Sequence, residues 1–400
     1  MRHMLRFSGY LIILLLVCLG LVMGYLLIRG PHYGEKLLVD VVPFEHQPIP
    51  ENVKAMHERL FVADLHADPL LWARDLAKRA DYSHVDVPRL IDGNVGLQVF
   101  GVVSQISPVH NVDYNPDNDA FPLLAFSQRW PASTWFSIPN RGVYQAKKLY
   151  DVAKRSNGAL KIVTTKQDLL KVLAGKLSRQ SVVGGLLAFE GVQVLEGSME
   201  RYHKFYKLGY RMMGLTHFFD TEAAGSRHGV KKYGLTEFGE ELVRQMEKDG
   251  VVVDLAHASA KATTEVLAFA TNPVVVSHTG VKGVCNNRRN LADEHIRGVA
   301  KLKGVIGIGY WPSAACDVAP KEIVKSIRYV ADMVGVDYVG LGSDFDGAVA
   351  TSFDASELAL LTHALHNDGF SEEDISKIMG GNVVRLLLEV LPDATEAHGQ

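Results

Sequence analysis

Eight short apolar runs, separated by longer amphipathic stretches, constrain this chain more than any other feature of its sequence. The runs are rich in Val, Ile, Leu and Gly, and they lack the alternation of apolar and polar residues that marks a strand with one solvent-facing side. Continuous apolar runs are typical of parallel strands that are buried on both faces. The runs lie at residues 60–66, 95–104, 182–190, 210–217, 251–257, 273–278, 305–310 and 336–344.

The stretches between the runs predict helices that connect successive strands. EFGEELVRQMEKDG (237–250) and PKEIVKSIRYVADMVG (320–335) are amphipathic, and each ends in Gly, which is a helix-stop signal. Strands that alternate with helices in this way predict an α/β fold, an eight-stranded parallel β/α barrel of the TIM type. A doubly wound open sheet is disfavoured because no GxGxxG motif follows the first run.

The first 30 residues differ in character from the rest of the chain. Arg2 and Arg6 precede YLIILLLVCLGLVMGYLLI (10–28), a run of 19 residues without a charge, and about 20 apolar residues in a helix span a bilayer core. A cleaved signal peptide is the alternative, but no small-residue cleavage site follows the run. The sequence therefore predicts an N-terminal transmembrane helix within residues 1–30. The slight excess of positive charge before it favours a periplasmic or extracellular location for the remainder.

The rest of the chain predicts one large domain. We expect a polar, Pro-containing linker at residues 31–52, a barrel domain at 53–392 and a short tail at 393–400. Residues 105–140 are rich in Pro, Asn, Asp and aromatic residues, and they follow the second strand, so we expect this insertion to narrow one mouth of the barrel. The net charge of −3 and the absence of a Lys/Arg run predict no nucleic-acid partner.

Six of the eight predicted strands deliver a metal-binding or acid–base side chain at their C-terminal ends. Those ends meet at one mouth of a parallel barrel, where enzymes of this fold build their active sites. One such residue alone is more often a polar group where a strand meets solvent, but six strands that end in this way predict a site. The residues are His66, Asp68, Glu190, His217, His257, His278 and Asp344.

The residue types indicate the chemistry of that site. Imidazole nitrogens and carboxylate oxygens are ligands that borderline divalent ions such as Zn²⁺ prefer. Five to seven of them exceed the needs of one four-coordinate ion, whereas two ions that share a bridging carboxylate use such a set. The pattern therefore predicts a two-metal hydrolase, in which water between the ions becomes a nucleophile at neutral pH.

The same residues lie in six sequence blocks. These are DLHADPLLW (64–72), FEG (189–191), GLTH (214–217), DLAHAS (254–259), SHTGVKGVCNNRRN (277–290) and GLGSDFDG (340–347). In composition and order, from about residue 58 to the helix at 380–387, the chain resembles the membrane (renal) dipeptidase family of binuclear zinc dipeptidases. The resemblance implies hydrolysis of dipeptides that bear a free C-terminal carboxylate, by a hydroxide that bridges two Zn²⁺ ions.

The resemblance also implies a distribution of metal ligands. His66 and Asp68 would bind one zinc ion, and His257 and His278 would bind the other. Glu190 would bridge the two ions. Mn²⁺ or Co²⁺ suits the same ligands, so the sequence leaves the native metal open.

Further roles follow from the resemblance for residues outside this set. His217 would polarise the scissile carbonyl, while Arg289, with help from Tyr310, would pair with the substrate carboxylate, a task suited to a planar guanidinium. Asp344 would take the proton from the nucleophilic water and pass it to the leaving amine. Asp346 is an alternative for this role that the sequence leaves open.

Three other expectations concern the surroundings of the site. Asp220 stands where the family commonly has Asn, which puts contacts with the substrate amino group in doubt. The resemblance makes a disulfide between Cys285 and Cys316 plausible, whereas the residues alone leave it open. We expect His228 and His295 at the surface.

The sequence leaves rival functions and the oligomeric state to be decided. A two-metal hydrolase for cyclic amides, lactones or phosphoesters is one rival, against which Arg289 argues because it would recognise a free carboxylate. A non-catalytic barrel protein is another, although no predicted ligand is missing from the chain. The sequence does not decide which dipeptides are preferred or whether the chain forms a homodimer.

Overall fold

The computed structural model describes most of the chain. It covers residues 2–39, 41–108, 111, 113–116 and 118–394. The side chains of residues 2–9, 11–12, 23 and 26–28 are outside this description. Most of the predicted tail, residues 395–400, also lies outside the described residues.

All paired strands of the described chain run parallel in one sheet. The strands are β1 (Val62–Ala67), β2 (Val95–Val103), β3 (Leu160–Ile162), β4 (Val183–Glu190), β5 (Tyr210–Gly214), β6 (Val252–Asp254), β7 (Val275–Thr279), β8 (Val305–Ile308) and β9 (Val339–Leu341). Their order is β2-β1-β9-β8-β7-β6-β5-β4, and pairing of β2 with β4 closes this ring into an eight-stranded barrel. The predicted fold class is therefore confirmed, and each of the eight predicted strands is present.

Helices follow most strands and surround the barrel. They are α1 (Arg2–Val39), α2 (Glu51–His57), α3 (Val87–Asp92), α4 (Phe121–Ser127), α5 (Ala132–Trp135), α6 (Ile138–Arg155), α7 (Lys166–Leu177), α8 (Met199–Lys207), α9 (Glu237–Asp249), α10 (Ala260–Phe269), α11 (Asp293–Lys301), α12 (Pro312–Ala315), α13 (Pro320–Val334), α14 (Ala359–Asn367), α15 (Glu372–Ser376) and α16 (Asn382–Val390). The two helices expected from stop signals are confirmed as α9 and α13. Gly250 ends α9 in the left-handed region, with φ of 69°, a conformation that glycine adopts without a steric penalty.

Burial explains why the barrel strands were recognisable in the sequence. All eight are buried along their whole length, because the helices cover one face and the barrel interior covers the other. The ninth strand, β3, pairs only with β4 at the outside of the ring, and it has one exposed, one half-buried and one buried residue. Its three residues are too few to produce a recognisable pattern, so it was not predicted.

The N-terminal prediction is not supported. In the part of the chain whose side chains are described, no helix has the length and apolarity needed to cross a membrane. The apolar run at residues 10–28 lies within α1.

Helix α1 extends into the segment that was predicted to be a linker, since it ends only at Val39. Its last turns pack on the barrel: Glu35 accepts hydrogen bonds from Arg74 at 2.5 Å and from the Tyr82 hydroxyl at 2.9 Å. The predicted insertion at residues 105–140 contains α4 and α5. Leu38 of α1 and Leu124 of α4 line the same cavity at the mouth of the barrel.

His57 connects three elements beneath the barrel. Its Nδ1 atom is 2.8 Å from Thr362 Oγ1 in α14, and its Nε2 atom is 3.1 Å from the carbonyl oxygen of Gly93, which follows α3. Burial lowers the pKa of His57 from 6.5 to about 4, although the bond to Gly93 opposes this shift. The folded protein therefore keeps this imidazole neutral where the unfolded chain binds a proton.

We expect His57→Gln to change the pH dependence of stability. The contribution of the neutral imidazole is fully present above about pH 6.5 and is lost as pH falls through about 4, because the depressed pKa favours proton binding by the unfolded chain. The difference in unfolding free energy between the wild type and the variant should fall by up to about 3 kcal/mol over that range. Urea unfolding at several pH values measures it, and a pH-independent difference would contradict this expectation.

Candidate metal centre

Glu190, the last residue of β4, lies at the centre of a buried cluster of imidazole rings. Its Oε1 atom faces four Nε2 atoms, at 3.1 Å for His257, 3.4 Å for His278, 3.4 Å for His217 and 3.6 Å for His66. Each of these residues ends or closely follows a barrel strand. The structure therefore brings together the four histidines and the glutamate that the strand ends predicted.

Two aspartates complete the cluster on the side of β1. The His66 Nε2 atom is 3.4 Å from Asp68 Oδ2 and 3.9 Å from Asp344 Oδ1. Gly101 of β2 leaves room for them, because a Cβ atom there would lie 2.2 Å from Asp68 Oδ1 and 2.7 Å from His66 Cε1. A side chain at Gly101 would therefore displace two of the predicted ligands.

The donor atoms fit divalent cations. His66 Nε2, Asp68 Oδ1 and Glu190 Oε2 are buried and have no hydrogen-bond partner among the described residues, which is rare for buried polar atoms. The Nε2 atoms of His257 and His278 are 2.8 Å apart and aim at the same space. Three groups of these residues bring ligand atoms within 4.8 Å of one another. Imidazole nitrogen and carboxylate oxygen at these spacings form a donor set for ions such as Zn²⁺.

The pKa values of the clustered side chains also bear on whether this cluster suits a divalent cation. Burial raises the pKa of Glu190 well above its usual range and raises that of Asp344 to about 8. Burial, with Arg289 nearby, holds the pKa values of His257 and His278 well below 6.5. The imidazoles of His257 and His278 thus keep their lone pairs.

His66 differs, because burial lowers its pKa but the carboxylates of Asp68 and Glu190 outweigh burial and raise it to about 10. For Glu190 and Asp344, burial outweighs the attraction of His66 and Arg289, so the charges of the protein only partly compensate the ionised carboxylates.

The backbone holds two of these residues in an unusual conformation. His257 has φ of 62° and Asp344 has φ of 60°, a region that residues other than glycine rarely occupy. Such a conformation costs about 1–3 kcal/mol and persists where surrounding structure enforces it, often at functional sites.

A hydrogen-bonded chain orients His278 from behind. Asp254 Oδ2 accepts from the Ser277 hydroxyl at 2.6 Å, and that hydroxyl is 2.9 Å from His278 Nδ1. This contact turns the Nε2 atom toward Glu190, which is how outer residues commonly orient metal-binding histidines. Asp254 and Ser277 were not predicted as site residues, although Asp254 begins the block DLAHAS and Ser277 begins the block SHTGVKGVCNNRRN.

The structure distinguishes Asp344 from Asp346. Asp344 lines the cavity above the cluster. Asp346 is completely buried, and its carboxylate accepts from the backbone N–H groups of His84 at 2.9 Å and Val85 at 3.2 Å and from Arg74. Its oxygens are thus occupied, and Asp346 fixes the loop that carries Asp344.

Arg289 lies at the rim of the cluster in the loop after β7. Its Nη2 atom donates to the carbonyl oxygen of His278 at 2.8 Å, and its guanidinium lies over the Trp311 ring, 5.4 Å from the centroid. Arg227 donates to the carbonyl oxygen of Asn290 at 2.9 Å and supports the same loop. Arg289 is thereby positioned to bind an anionic group in the cavity.

A cavity of about 440 Å³ opens above the cluster, which suits a small-molecule ligand. Asp68, Glu190, His217, His257, Arg289 and Asp344 line its polar side. The insertion contributes Ile106 and Leu124, and α1 contributes Leu38. Two residues of the insertion therefore border the cavity, and narrowing of the mouth by the whole insertion stays a prediction.

Other predicted residues lie elsewhere. Tyr310 is fully buried against Phe345 and Phe353 and does not line the cavity, because the chain turns at the end of β8 and presents Trp311 instead. Asp220 accepts hydrogen bonds from three backbone N–H groups of the 226–232 loop. It is therefore not among the cavity-lining residues.

The two histidines expected at the surface are both buried. His228 lines the cavity, and its ring centroid is 5.0 Å from that of His257, because the Asp220 contacts fold its loop over the mouth. His295 packs beneath α10, with Nε2 3.0 Å from Thr264 Oγ1. Neither position was recognisable from the sequence, since each depends on contacts between separate segments.

A disulfide joins Cys285 to Cys316, and the Cα atoms are 5.4 Å apart. It connects the loop that carries Arg289 to the end of α12. Asn290 Nδ2 reinforces this connection by donating to the carbonyl oxygens of Cys285 at 2.7 Å and Ala314 at 3.1 Å. The pairing that the resemblance made plausible is present.

Comparisons with known proteins agree with this geometry. The profile of the membrane dipeptidase family (peptidase family M19) matches residues 50–398. The dipeptidase aclJ of Aspergillus oryzae is 28% identical over an alignment of 364 positions that covers 83% of this chain and 78% of that protein.

Solved structures share the fold. The probable dipeptidase PvdM from Pseudomonas aeruginosa superposes with a TM-score of 0.71 at 19% identity, covering 85% of this chain and 98% of that one. A metallopeptidase from Rhodobacter sphaeroides, liganded with a phosphinate mimic of L-Ala-D-Ala, gives a TM-score of 0.68 at 22% identity, covering 83% and 99%.

Removing the disulfide by the double substitution Cys285→Ser and Cys316→Ser should lower the unfolding free energy. Since the cysteines are 31 residues apart, loop-closure entropy predicts a loss of about 3–4 kcal/mol. Thiol titration of the unfolded wild type without reductant should find one thiol, Cys18. Three thiols, or equal stability of the double variant and a Cys18→Ser control, would overturn the assignment.

Proposed function

Because this chain belongs to the membrane dipeptidase family (peptidase family M19) and is a metallo-dipeptidase, we propose that it hydrolyses dipeptides that carry a free C-terminal carboxylate at a site with two Zn²⁺ ions. The observation that carries the proposal is the convergence of four imidazoles on Glu190 Oε1, with Arg289 at the rim of the same cavity.

Five side chains would hold the metal ions in this proposal. His66 and Asp68 would hold one ion, His257 and His278 would hold the other, and Glu190 would contribute to both. This division is supported by the approach of His66, His257 and His278 to within 3.6 Å of Glu190 Oε1 and by Asp68 Oδ2 at 3.4 Å from His66 Nε2. When bound, such a pair of ions provides Lewis acidity and lowers the pKa of water to near neutrality.

Arg289 and His217 would bind and orient the substrate. The guanidinium of Arg289 is already fixed by His278 and Trp311, so it can pair with a carboxylate while losing little side-chain freedom. His217 lines the cavity beside Glu190, where its imidazole can donate to the oxygen of the scissile carbonyl as negative charge develops there.

Asp344 would transfer the proton. Its carboxyl group lines the cavity and lies near His66, and burial raises its pKa to about 8, a range in which a carboxyl group both accepts and donates protons near neutral pH. It would accept a proton from the attacking water and deliver it to the leaving amine.

We also place the enzyme in an oxidising compartment, outside the cytosol. The disulfide between Cys285 and Cys316 supports this location, because such bonds persist in secreted and periplasmic proteins and are rare in the cytosol. A homodimer stays a prediction that the single chain does not test.

The first experiment is hydrolysis of a small panel by the full chain, with and without chelator. The panel contains Leu-Gly, L-Ala-D-Ala, an amidated dipeptide and a tripeptide. We expect cleavage of the free dipeptides and not of the amidated dipeptide, because Arg289 would pair with the carboxylate that the amide lacks. This activity should be lost on chelation and restored by Zn²⁺. The tripeptide, which also carries a free carboxylate, measures whether a third residue is tolerated. A protein that carries two zinc ions and cleaves no peptide would overturn the assignment and favour cyclic amides or esters.

Substitution of the two aspartates should separate catalysis from structure. Asp344→Asn keeps the shape of the side chain but removes the proton acceptor, so kcat should fall by about 10²–10⁴ with little change in melting temperature. Asp346→Asn disrupts the contacts with Arg74 and His84 and should lower the melting temperature. Equal kcat for Asp344→Asn and the wild type would exclude Asp344 as the proton carrier.

A further inference from the structure

One part of the cavity lining is apolar and comes from neighbouring segments of the fold. These segments are the end of α1, the residues after β1, and β2 with the insertion that follows it. Their apolar side chains, here called the apolar wall, are Leu38, Leu71, Trp72, Val103, Ile106 and Leu124. The remaining lining contains the predicted metal ligands and Arg289 together with other apolar side chains, such as Phe218 and Trp311.

The order of the strands fixes where this wall lies relative to Arg289. In the closed ring, β2 and β7 are separated by three strands in both directions, β1, β9 and β8 on one path and β4, β5 and β6 on the other. The loop after β7 carries Arg289, and the segment after β2 carries Ile106 and Leu124. The apolar wall therefore faces Arg289 across the barrel mouth, with the metal-binding cluster between them.

The wall has a buried floor and an incomplete rim. Leu71, Trp72 and Val103 are buried in a separate apolar cluster with Phe121 and Trp130. Leu38 at the rim is 49% exposed. Ile106 and Leu124 beside it are only partly buried. These rim side chains therefore have apolar surface that a ligand in the cavity can cover.

We infer that the apolar wall is the subsite for the side chain of the substrate's amino-terminal residue, and that the enzyme prefers dipeptides in which this residue is large and apolar. The inference rests on the proposed function. With the substrate carboxylate at Arg289 and the scissile bond at the central cluster, the amino-terminal residue must extend to the opposite side of the mouth. No charged side chain among the described residues belongs to the wall, so a lysine or aspartate at that position would be desolvated without a partner.

Two of the rim residues come with matched neighbours that serve as controls. Leu38 lies beside Leu37 in α1, and Leu124 lies beside Leu123 in α4. Leu37 and Leu123 are 86% and 74% exposed and do not line the cavity. Substitution of either member of a pair makes the same chemical change on the same helix, and only one member faces the cavity.

The experiment compares kcat/KM of the full, Zn²⁺-loaded chain for Leu-Gly, Gly-Gly, Gly-Leu and Lys-Gly. The wild type should prefer Leu-Gly to Gly-Gly and Lys-Gly. Leu38→Gln and Leu124→Gln should each lower the ratio of Leu-Gly to Gly-Gly by about tenfold, the loss typical of a perturbed apolar pocket. Leu37→Gln and Leu123→Gln should keep the wild-type ratio. A ratio within one variant is independent of the fraction of protein that is correctly folded.

The other outcomes distinguish failure of the proposed subsite from failure of the proposed dipeptidase function. Equal kcat/KM of the wild type for Leu-Gly and Lys-Gly would overturn the subsite and leave the dipeptidase assignment intact. An equal effect of paired substitutions, or a loss on Gly-Leu instead of Leu-Gly, would do the same. Failure of the wild type to cleave any of the four dipeptides would overturn the proposed function, and the subsite with it.

Discussion

One buried carboxylate, that of Glu190, organises the functional end of this barrel. A carboxylate that is removed from water is costly unless positive charge and hydrogen bonds compensate for it. Four imidazoles converge on its Oε1 atom. Burial and the nearby carboxylates of Asp68 and Asp344 raise the pKa of Glu190, and the attraction of His66 and Arg289 does not offset them. The strand ends, the left-handed backbone at His257 and the chain from Asp254 through Ser277 to His278 all hold donor atoms around this point.

The barrel and the cluster of imidazoles and carboxylates at its mouth could be predicted from the sequence because each depends on short-range information. A strand that is buried on both faces is apolar at nearly every position, so β2 and β4 can be recognised in the sequence as continuous apolar runs. Parallel strands in a barrel bring their C-terminal ends together, so polar residues at those ends, such as His66, are brought close whatever the details of packing. The short strand β3 gave no such signal.

The rest of the site depends on contacts between segments that are distant in the chain. Asp346 is separated from Asp344 by one residue, yet only the contacts from Arg74 and His84 show that its carboxylate is occupied. His228 reaches the cavity because Asp220 folds its loop inward. No periodicity or motif encodes such contacts. In the same way, Trp311 lines the cavity where Tyr310 was predicted, because of how the chain turns after β8.

The elements that hold the metal-binding residues and those that form the apolar wall differ in how freely they can change. The former belong to strands whose neighbours fix every side chain, and a Cβ atom at Gly101 would already collide with Asp68. Leu38 and Leu124 instead lie on helices outside the barrel ring. On the proposed function, mutation at these peripheral positions would alter the preferred substrate and leave the central cluster unchanged, so related chains would diverge in specificity before they diverge in chemistry.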